Sequence, residues 1–258
     1  MQWHYFSQIL CVSLPYKNTG HYFYLKGQFM KRIYYLFFFI FTLSAFQNLL
    51  GQNTKNASVK EVVDHYFKAI GGREKAVQIE TFYTISKGVF AEQEILLVKK
   101  RMLPYYHYSS MSLDGYLVSE NIFDGKKGRI IQQDIEEDFD AAQTKRHRQN
   151  RSIFPEFDYL KNAFYIGIEK VNGHKAHVLA VENTKIYYDI ETGLKVKGVS
   201  SKNKLGRSFE QELFFSKYTA VKGLKFPSRV RIVVGGKEME LQVQTLSLNN
   251  GVSAGDFR

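Results

Sequence analysis

Cysteine is nearly absent from this sequence, which has a single one, Cys11, among 258 residues. One cysteine cannot form an internal disulfide or a cysteine-rich zinc site, and no cysteine nucleophile exists beyond residue 11. Charged residues make up 24% of the chain, too many for a protein that crosses a membrane several times. The hydrophobic share of 44% excludes wholesale disorder. The length allows one or two domains.

Catalytic signatures are missing as well. The sequence contains no His-Glu-x-x-His or His-x-x-Glu-His motif of zinc peptidases and no Gly-x-Ser-x-Gly nucleophile elbow. It also has no phosphate-binding loop and no dinucleotide fingerprint. We therefore expect a protein that is not an enzyme and that uses no metal or cofactor.

Five histidines follow the first 52 residues, and their spacing does not predict a metal site. His174 and His177 are three residues apart on a predicted strand, so their side chains point to opposite faces. They also follow the turn Asn172-Gly173, and we expect them to be exposed. His65 lies beside the apolar stripe of a predicted helix and is expected at the surface, while His107 lies among tyrosines on a strand face.

Acidic residues are absent from the first 52 residues, which differ from the rest of the chain. Met30-Lys31-Arg32 precedes an apolar run, Ile33–Phe46, which is shorter than the roughly 20 residues of a membrane-spanning helix. A basic start and a short apolar run are typical of a secretory signal peptide. We predict a signal peptide over residues 30–52 that ends at Gly51-Gln52, with an uncleaved anchor helix as the alternative. Residues 1–29 are then a gene-start error or a leader extension.

The remaining 206 residues contain 32 basic and 25 acidic side chains, a net charge of 32 − 25 = +7. The positive charge is spread along the chain without interleaved aromatics, so we expect no nucleic-acid partner. It favours contact with an anionic membrane surface or serves only for solubility. Because Cys11 precedes the apolar run, no lipid anchor is expected. We predict an exported protein.

The clearest helix begins at Ser58. Ser58 and Glu61 form a capping box, and Gly71-Gly72 ends the helix because glycine adopts left-handed geometry readily. Between them, apolar residues at helical spacing form one stripe. The stripe consists of Val59, Val62, Val63, Tyr66, Phe67 and Ile70.

From Thr81 onward the pattern changes to strands separated by short turns. The predicted strands are Thr81–Phe90, Glu94–Arg101, Tyr105–Ser112, Val118–Phe123, Gly128–Gln133, Ile166–Val171, Ala176–Val181, Lys185–Ile190, Lys195–Ser200, Phe209–Tyr218, Ser228–Val234 and Glu238–Leu246. Short links join antiparallel neighbours, since parallel strands need long crossovers. The sequence therefore predicts a mainly β protein with a few helices, built as an antiparallel meander.

The segment Asp134–Phe164 interrupts these strands. An acidic run, Asp134–Asp140, precedes a basic run, Lys145–Arg151, and a short helix is predicted over Glu156–Phe164. The acidic run has carboxylates that a hydrolase or a calcium site would use, but it lacks the central glycine of a calcium loop. We interpret both charged runs as solvated loops, with a lid or a partner-binding segment as the alternative.

Two predicted strands are apolar on both faces, at Ile95–Val98 and Leu213–Phe215. In a simple antiparallel sheet one face meets the core and the other meets water, so two apolar faces imply cover on both sides. The strands alone favour a packed core, with a hydrophobic cavity as the alternative.

Several motifs occur in a set order along the chain. They are Val62–Tyr66 running to Ala69–Gly72, Phe123–Lys126, Val171–Gly173, Tyr187–Leu194 and Gly223–Pro227. In this order and at these distances they resemble the outer-membrane lipoprotein-sorting proteins of Gram-negative bacteria, the LolA/LolB-like family. The resemblance covers residues 58–258, and we predict one LolA-like domain over residues 53–258.

The resemblance implies a half-open antiparallel β-barrel covered by helices. It also implies that an apolar concave face holds lipid or lipoprotein acyl chains, in the periplasm or at the outer membrane. Strand residues of one parity would line this cavity, which we predict as Leu97, Tyr106, Tyr108, Tyr188, Leu213, Phe215, Ile232, Leu241 and Val243. Val63, Phe67 and Ile70 of the first helix would plug the sheet. The alternative is a filled core in an envelope interaction module that binds a protein partner through residues 134–164.

Overall fold

The computed structural model describes residues 57–132, 135–149, 151–204 and 207–258. The predicted signal peptide and the stretch in front of it lie outside the described residues, so both stay predictions. Within the described ranges, no helix is both long enough and apolar enough to span a membrane.

Helix α1, Val59–Ile70, begins and ends where the sequence predicts. The Ser58 hydroxyl accepts a hydrogen bond from the Glu61 backbone amide, and the Glu61 carboxylate accepts one from the Ser58 amide. Gly71 ends the helix in the left-handed conformation, with φ of 118°. Helix α2, Arg73–Val77, follows directly.

Across the described ranges, thirteen strands form one antiparallel sheet. They are β1 Thr81–Phe90, β2 Gln93–Met102, β3 Tyr106–Leu113, β4 Tyr116–Phe123, β5 Gly128–Gln132, β6 Ile135–Asp138, β7 Ala163–Val171, β8 His174–Val181, β9 Thr184–Asp189, β10 Lys195–Lys204, β11 Arg207–Val221, β12 Leu224–Val234 and β13 Lys237–Leu248. Twelve of them match the predicted strands. The prediction of a mainly β fold is confirmed.

The strand order is β6-β5-β4-β3-β2-β1-β13-β12-β11-β10-β9-β8-β7. Sequential strands pair as hairpins except β6 and β7, which lie at opposite edges, and the first strand, β1, pairs with the last, β13. The sheet ends at β6 on one side and at β7 on the other and does not close. Two meanders, β1–β6 and β7–β13, are therefore joined along the β1–β13 ladder into a half-open barrel.

Two buried clusters fill opposite ends of the concave face. The helix-side cluster contains Phe67 and Ile70 of α1 together with Leu224 and Leu248, which lie at the start of β12 and the end of β13. The hairpin-side cluster contains strand residues at the other end of the sheet, such as Ile232 next to the β12–β13 hairpin. Helix α1 thus covers one end of the barrel and leaves the other to strand side chains.

The two charged runs were wrongly predicted to be loops. Ile135–Asp138 forms the edge strand β6, whose side chains are all exposed. Most of the basic run lies in helix α3, Ala141–Gln149, whose His147 is buried. The predicted short helix exists as a 3₁₀ turn, Pro155–Phe157, followed by α4, Tyr159–Asn162.

Candidate functional site

A cavity of about 190 Å³ lies between the two buried clusters. This space is roughly ten times what one buried water needs. Its lining reaches from His107 on β3 to Lys195 at the start of β10. In a flat sheet these strands would be six strand spacings, roughly 29 Å, apart. The sheet must therefore curve around the cavity.

Strands β11, β12 and β13 supply the apolar wall. Leu213 and Phe215 project from β11, Val230 from β12, and Leu241 and Val243 from β13. Within the ladders Phe215 lies opposite Val230, and Val230 lies opposite Leu241. Neighbouring side chains on one face of paired strands are in contact, so these residues form a continuous hydrocarbon surface.

Strands β1, β2 and β3 supply a polar wall. Thr84 on β1 lies opposite Lys99 on β2, which lies opposite Ser109 on β3. One row further toward α1, Arg101 lies opposite His107. All five side chains line the cavity. The sheet therefore places two cations and two hydroxyls opposite the apolar wall.

An ion pair lies at the helix-covered end of the cavity. Glu156, on the 3₁₀ turn, is fully buried, and its Oε1 atom lies 2.5 Å from Nζ of Lys195. The Tyr188 hydroxyl donates a hydrogen bond of 3.1 Å to the same oxygen. The Tyr66 ring of α1 lies 5.3 Å from the Lys195 ammonium. These contacts hold the 3₁₀ turn and α1 against the sheet.

Burial changes the protonation behaviour of the polar wall. It lowers the pKa of Lys99 to about 8 and that of Arg101 to about 10. Burial, together with the positive charges of Arg101 and Lys99, lowers the pKa of His107 to about 3. At neutral pH His107 is therefore neutral, while Lys99 and Arg101 are charged. The Arg101 guanidinium also donates a hydrogen bond of 2.9 Å to the Ser152 carbonyl oxygen.

The structure brings five of the nine predicted lining residues together at this cavity. These are Leu97, Leu213, Phe215, Leu241 and Val243. Tyr188 lies behind Glu156 in the helix-side cluster. Ile232 lies deeper in the hairpin-side cluster, next to a separate small space. That the five residues hold a lipid stays a prediction.

Tyr106 and Tyr108 lie on the opposite face of β3. The Tyr108 hydroxyl donates a hydrogen bond to Glu120, and the Tyr106 ring packs against Phe257. The cavity side of β3 carries the odd-numbered residues, among them His107 and Ser109. The prediction placed the even-numbered residues of β3 in the cavity, one residue out of step with the structure. A shift of one residue along a strand moves every side chain to the other face.

The predicted plug residues Val63, Phe67 and Ile70 are buried in the helix-side cluster. They pack α1 onto the end of the sheet, while Tyr66 is the α1 residue that lines the cavity. The helix therefore closes this end through one aromatic ring backed by an apolar stripe.

The remaining histidines form no cluster within the described residues: the His147 ring lies 5.6 Å from the His107 ring, and burial together with the nearby His65 lowers the pKa of His177. His174 is exposed, and the half-buried His177 lies 3.2 Å from the Tyr165 hydroxyl. The described part of the chain contains no group of three or more histidine, cysteine, aspartate or glutamate residues that could hold a metal ion.

Three solved structures are similar in fold to this chain. A domain described as an outer membrane lipoprotein-sorting protein from Vibrio parahaemolyticus is 12% identical, with 78% of this chain and 95% of that one covered and a TM-score of 0.48. A DUF1329 family protein from Desulfovibrio piger is 12% identical over 78% of this chain and 97% of its own, with a TM-score of 0.49. A LolA superfamily protein from Nitrosomonas europaea is 8% identical, with 78% of this chain and 98% of that chain covered and a TM-score of 0.47.

These likenesses concern the fold alone. No protein-family model matches the chain, and no curated protein matches it.

Proposed function

We propose that this protein is an exported, periplasmic carrier that holds the acyl chains of a lipid or lipoprotein in its cavity, without catalysing a reaction. The observation that carries the proposal is the apolar wall of Leu213, Phe215, Val230, Leu241 and Val243 around an open space. Each methylene that moves from water into such a space is stabilised by about 0.8 kcal/mol. A sixteen-carbon chain can therefore bind favourably even if the pocket does not match its shape closely.

The alternative from the sequence is a filled core in a protein-interaction module. The cavity favours the carrier, because a core that only supports the sheet would be closely packed. The lack of a lipid anchor and the periplasmic location rest on the predicted signal peptide and belong to the proposal.

Mass spectrometry of an organic extract tests the carrier directly. The protein is purified without detergent, and its extract is expected to contain about one lipid or fatty acid per chain. An empty extract, together with no uptake of a fluorescent fatty acid, would contradict the carrier and favour the filled core.

A pair of variants locates the binding site. Leu213 is 1% exposed and lines the cavity, whereas Leu96 on β2 is half-buried on the other face of the sheet. Leu213→Gln is expected to weaken fatty-acid uptake about tenfold or more, because it places an amide against the acyl chain. Leu96→Gln carries the same chemical change and should leave uptake near normal.

Urea denaturation checks that each variant is folded. Val243→Gln serves as a second cavity variant, since Val243 is only partly buried and its change costs less stability. Normal uptake by folded variants of both Leu213 and Val243 would show that the acyl chain binds elsewhere.

A further inference from the structure

The buried carboxylate of Glu156 uses only one of its two oxygens. Its Oε1 atom accepts a hydrogen bond from the Tyr188 hydroxyl and lies 2.5 Å from Nζ of Lys195. Its other oxygen, Oε2, is buried and has no hydrogen-bond partner among the described residues. Both oxygens of an ionised carboxylate accept hydrogen bonds, so much of the acceptor capacity of Glu156 is unused.

This unused oxygen belongs to a side chain that lines the cavity. Lys195 lines the same space, as does Tyr66, whose ring lies 5.3 Å from the ammonium. Apart from the polar wall on β1, β2 and β3, the helix-covered end is lined by apolar side chains. They are Phe82, Ile153, Phe154, Phe226 and Leu246. Glu156 therefore presents a strong hydrogen-bond acceptor among aromatic and hydrocarbon groups.

The surrounding contacts hold this acceptor in place. Glu156 lies on the 3₁₀ turn, and the neighbouring Phe154 ring packs edge-on against Phe67 of α1. The backbone of Lys195 is also held, since the Tyr218 hydroxyl donates a hydrogen bond of 2.7 Å to its carbonyl oxygen. With both partners of the ion pair fixed, Oε2 stays directed away from Lys195 and Tyr188.

The groups around Glu156 define what kind of partner Oε2 lacks. Burial and the negative charge of Glu156 raise the pKa of Tyr188 and of Tyr66 well above the ordinary value, so both hydroxyls stay protonated. Lys195 already balances the charge of the carboxylate. A buried ion pair is stable only if its remaining acceptor positions also find donors. The site therefore lacks a neutral hydrogen-bond donor and not a second cation.

We propose that the cavity selects neutral amphiphiles whose polar end donates a hydrogen bond, either an alcohol hydroxyl or an amide N–H. Oε2 of Glu156 accepts this hydrogen bond, and the acyl chain extends past Phe215 and Leu213 into the hairpin-side cluster. The selection rests on the proposed carrier function and adds the ligand class to it. A buried acceptor without a donor costs free energy, and hydrogen bonds to an ionised acceptor are the strong ones.

Two pairs of neutral sixteen-carbon ligands test the donor without changing the protein. Hexadecanol is compared with its methyl ether, and N-methylhexadecanamide with N,N-dimethylhexadecanamide, so that one methyl group removes the donor in each pair. Binding is measured by displacement of a fluorescent fatty acid from the purified protein. We expect at least one donor to bind about tenfold or more tightly than its methylated partner, a difference of about 1.4 kcal/mol.

The outcomes separate the donor selection from the carrier function. Equal binding within both pairs would overturn the selection while supporting the carrier, because water would then satisfy Oε2 as well as a ligand does. If no ligand binds, the fluorescent fatty acid included, the carrier itself is contradicted. A preference in the alcohol pair alone would indicate an acylglycerol, and one in the amide pair alone would indicate an N-acylated lipid. Either preference supports the donor selection.

A double variant assigns the selection to Glu156. Glu156→Gln combined with Lys195→Met removes both charges together, so no unpaired charge stays buried. The glutamine oxygen can still accept the hydrogen bond from Tyr188, which turns the amide N–H₂ toward the ligand. We expect this variant to lose most of the preference for donors. Urea denaturation checks that it is folded.

The matched control is Glu169→Gln combined with Lys185→Met. Glu169 likewise accepts a hydrogen bond of 3.0 Å from a tyrosine, Tyr187, and lies 3.6 Å from the Lys185 ammonium. Tyr187 and Tyr188 are adjacent on β9 and point to opposite faces of the sheet, so the control pair lies outside the cavity. The control should keep the donor preference. A preference that persists in the folded Glu156 variant would overturn the role of Oε2, and the ligand pairs on the unaltered protein decide if that variant does not fold.

Discussion

His147 is the buried titratable group of helix α3. Its ring stacks on Phe139 at 4.6 Å between centroids and lies 4.8 Å from the Phe123 ring. The side chain is 5% exposed, and burial lowers its pKa to about 4. In the unfolded chain the pKa returns to about 6.5. Between pH 6.5 and 4 the unfolded state therefore binds more protons, and stability falls as the pH falls.

Replacement of His147 by phenylalanine should remove this acid sensitivity. Between pH 7.5 and pH 5 we expect the wild type to lose about 2 kcal/mol more unfolding free energy than His147→Phe, measured by urea denaturation. Phenylalanine keeps the ring contacts with Phe123 and Phe139. The control His174→Gln changes an exposed histidine and should follow the wild type. Parallel pH profiles for wild type and His147→Phe would rule out a buried, neutral His147.

The sequence predicted some of the cavity-lining residues correctly and missed others. The apolar lining residues Leu213 and Leu241 were identified because alternation along a strand predicts which side chains share a face. Lys99 and Arg101 were missed, since charged residues on strands usually face water. Their position could have been predicted from the alternation of faces along β2, because Lys99 and Arg101 are two and four residues after the inward-facing Leu97. For β3 the apolar pattern is too weak to define the face, and Tyr106 was placed wrongly.

The end of α1 depends on two glycines with different surroundings. Gly71 and Gly72 have φ of 118° and 113°, a region that side chains disfavour. A Cβ atom on Gly71 would lie 2.1 Å from the carbonyl oxygen of Gly223, whereas one on Gly72 meets nothing within 4 Å. The first glycine therefore allows close approach to the β11–β12 turn, and the second supplies only backbone freedom.

Alanine at each position separates these two effects. Gly72→Ala should cost about 1–3 kcal/mol of unfolding free energy through backbone strain. Gly71→Ala should cost about 1–3 kcal/mol more, because the contact with Gly223 forces α1 away from the sheet. Urea denaturation of both variants measures the difference. Equal losses would show that α1 tolerates a shift at its end.

Elements were predictable where local and tertiary preferences agree. The capping box and glycine pair define α1, and the turns define the hairpins. The acidic strand β6 could not be identified, because Ile135–Asp138 has the composition of a solvated loop and gains its structure from pairing with β5. Helix α3 was not predicted because most of its residues are charged or polar. It contacts the sheet through the buried ring of His147 and through hydrogen bonds that Arg148 donates to the β4–β5 turn.

A ligand in the cavity should stabilise the molecule as a whole. Since the cavity exists only in the folded state, palmitate at about one hundred times its Kd should add about 2.7 kcal/mol to the unfolding free energy. For a domain of this size the Tm should rise by about 5 to 10 °C. Differential scanning fluorimetry measures the shift.

The Leu213→Gln variant provides the comparison. Its Tm should rise clearly less at the same palmitate concentration, since its affinity is lower. A large shift that persists in this variant would indicate fatty-acid binding to another surface of the folded protein.

The overall topology was only partly predictable. Short links imply antiparallel hairpins, and the sequence motifs indicate a half-open barrel. The β1–β13 pairing has no local signal, because it joins residues more than 150 positions apart, such as Ser86 and Val243. The curvature that encloses the cavity likewise arises from the whole sheet.

The β1–β13 ladder also determines when the cavity can form during synthesis and folding. The cavity needs Thr84 and Ser86 from the first strand and Leu241 and Val243 from the last. Contacts so distant along the chain form slowly, because a long loop must close first. A growing chain therefore has no complete binding space until its final strand has been synthesised and paired. Binding of the proposed lipid would have to follow folding, and a chain that ends before β13 would leave its apolar wall exposed to aggregation.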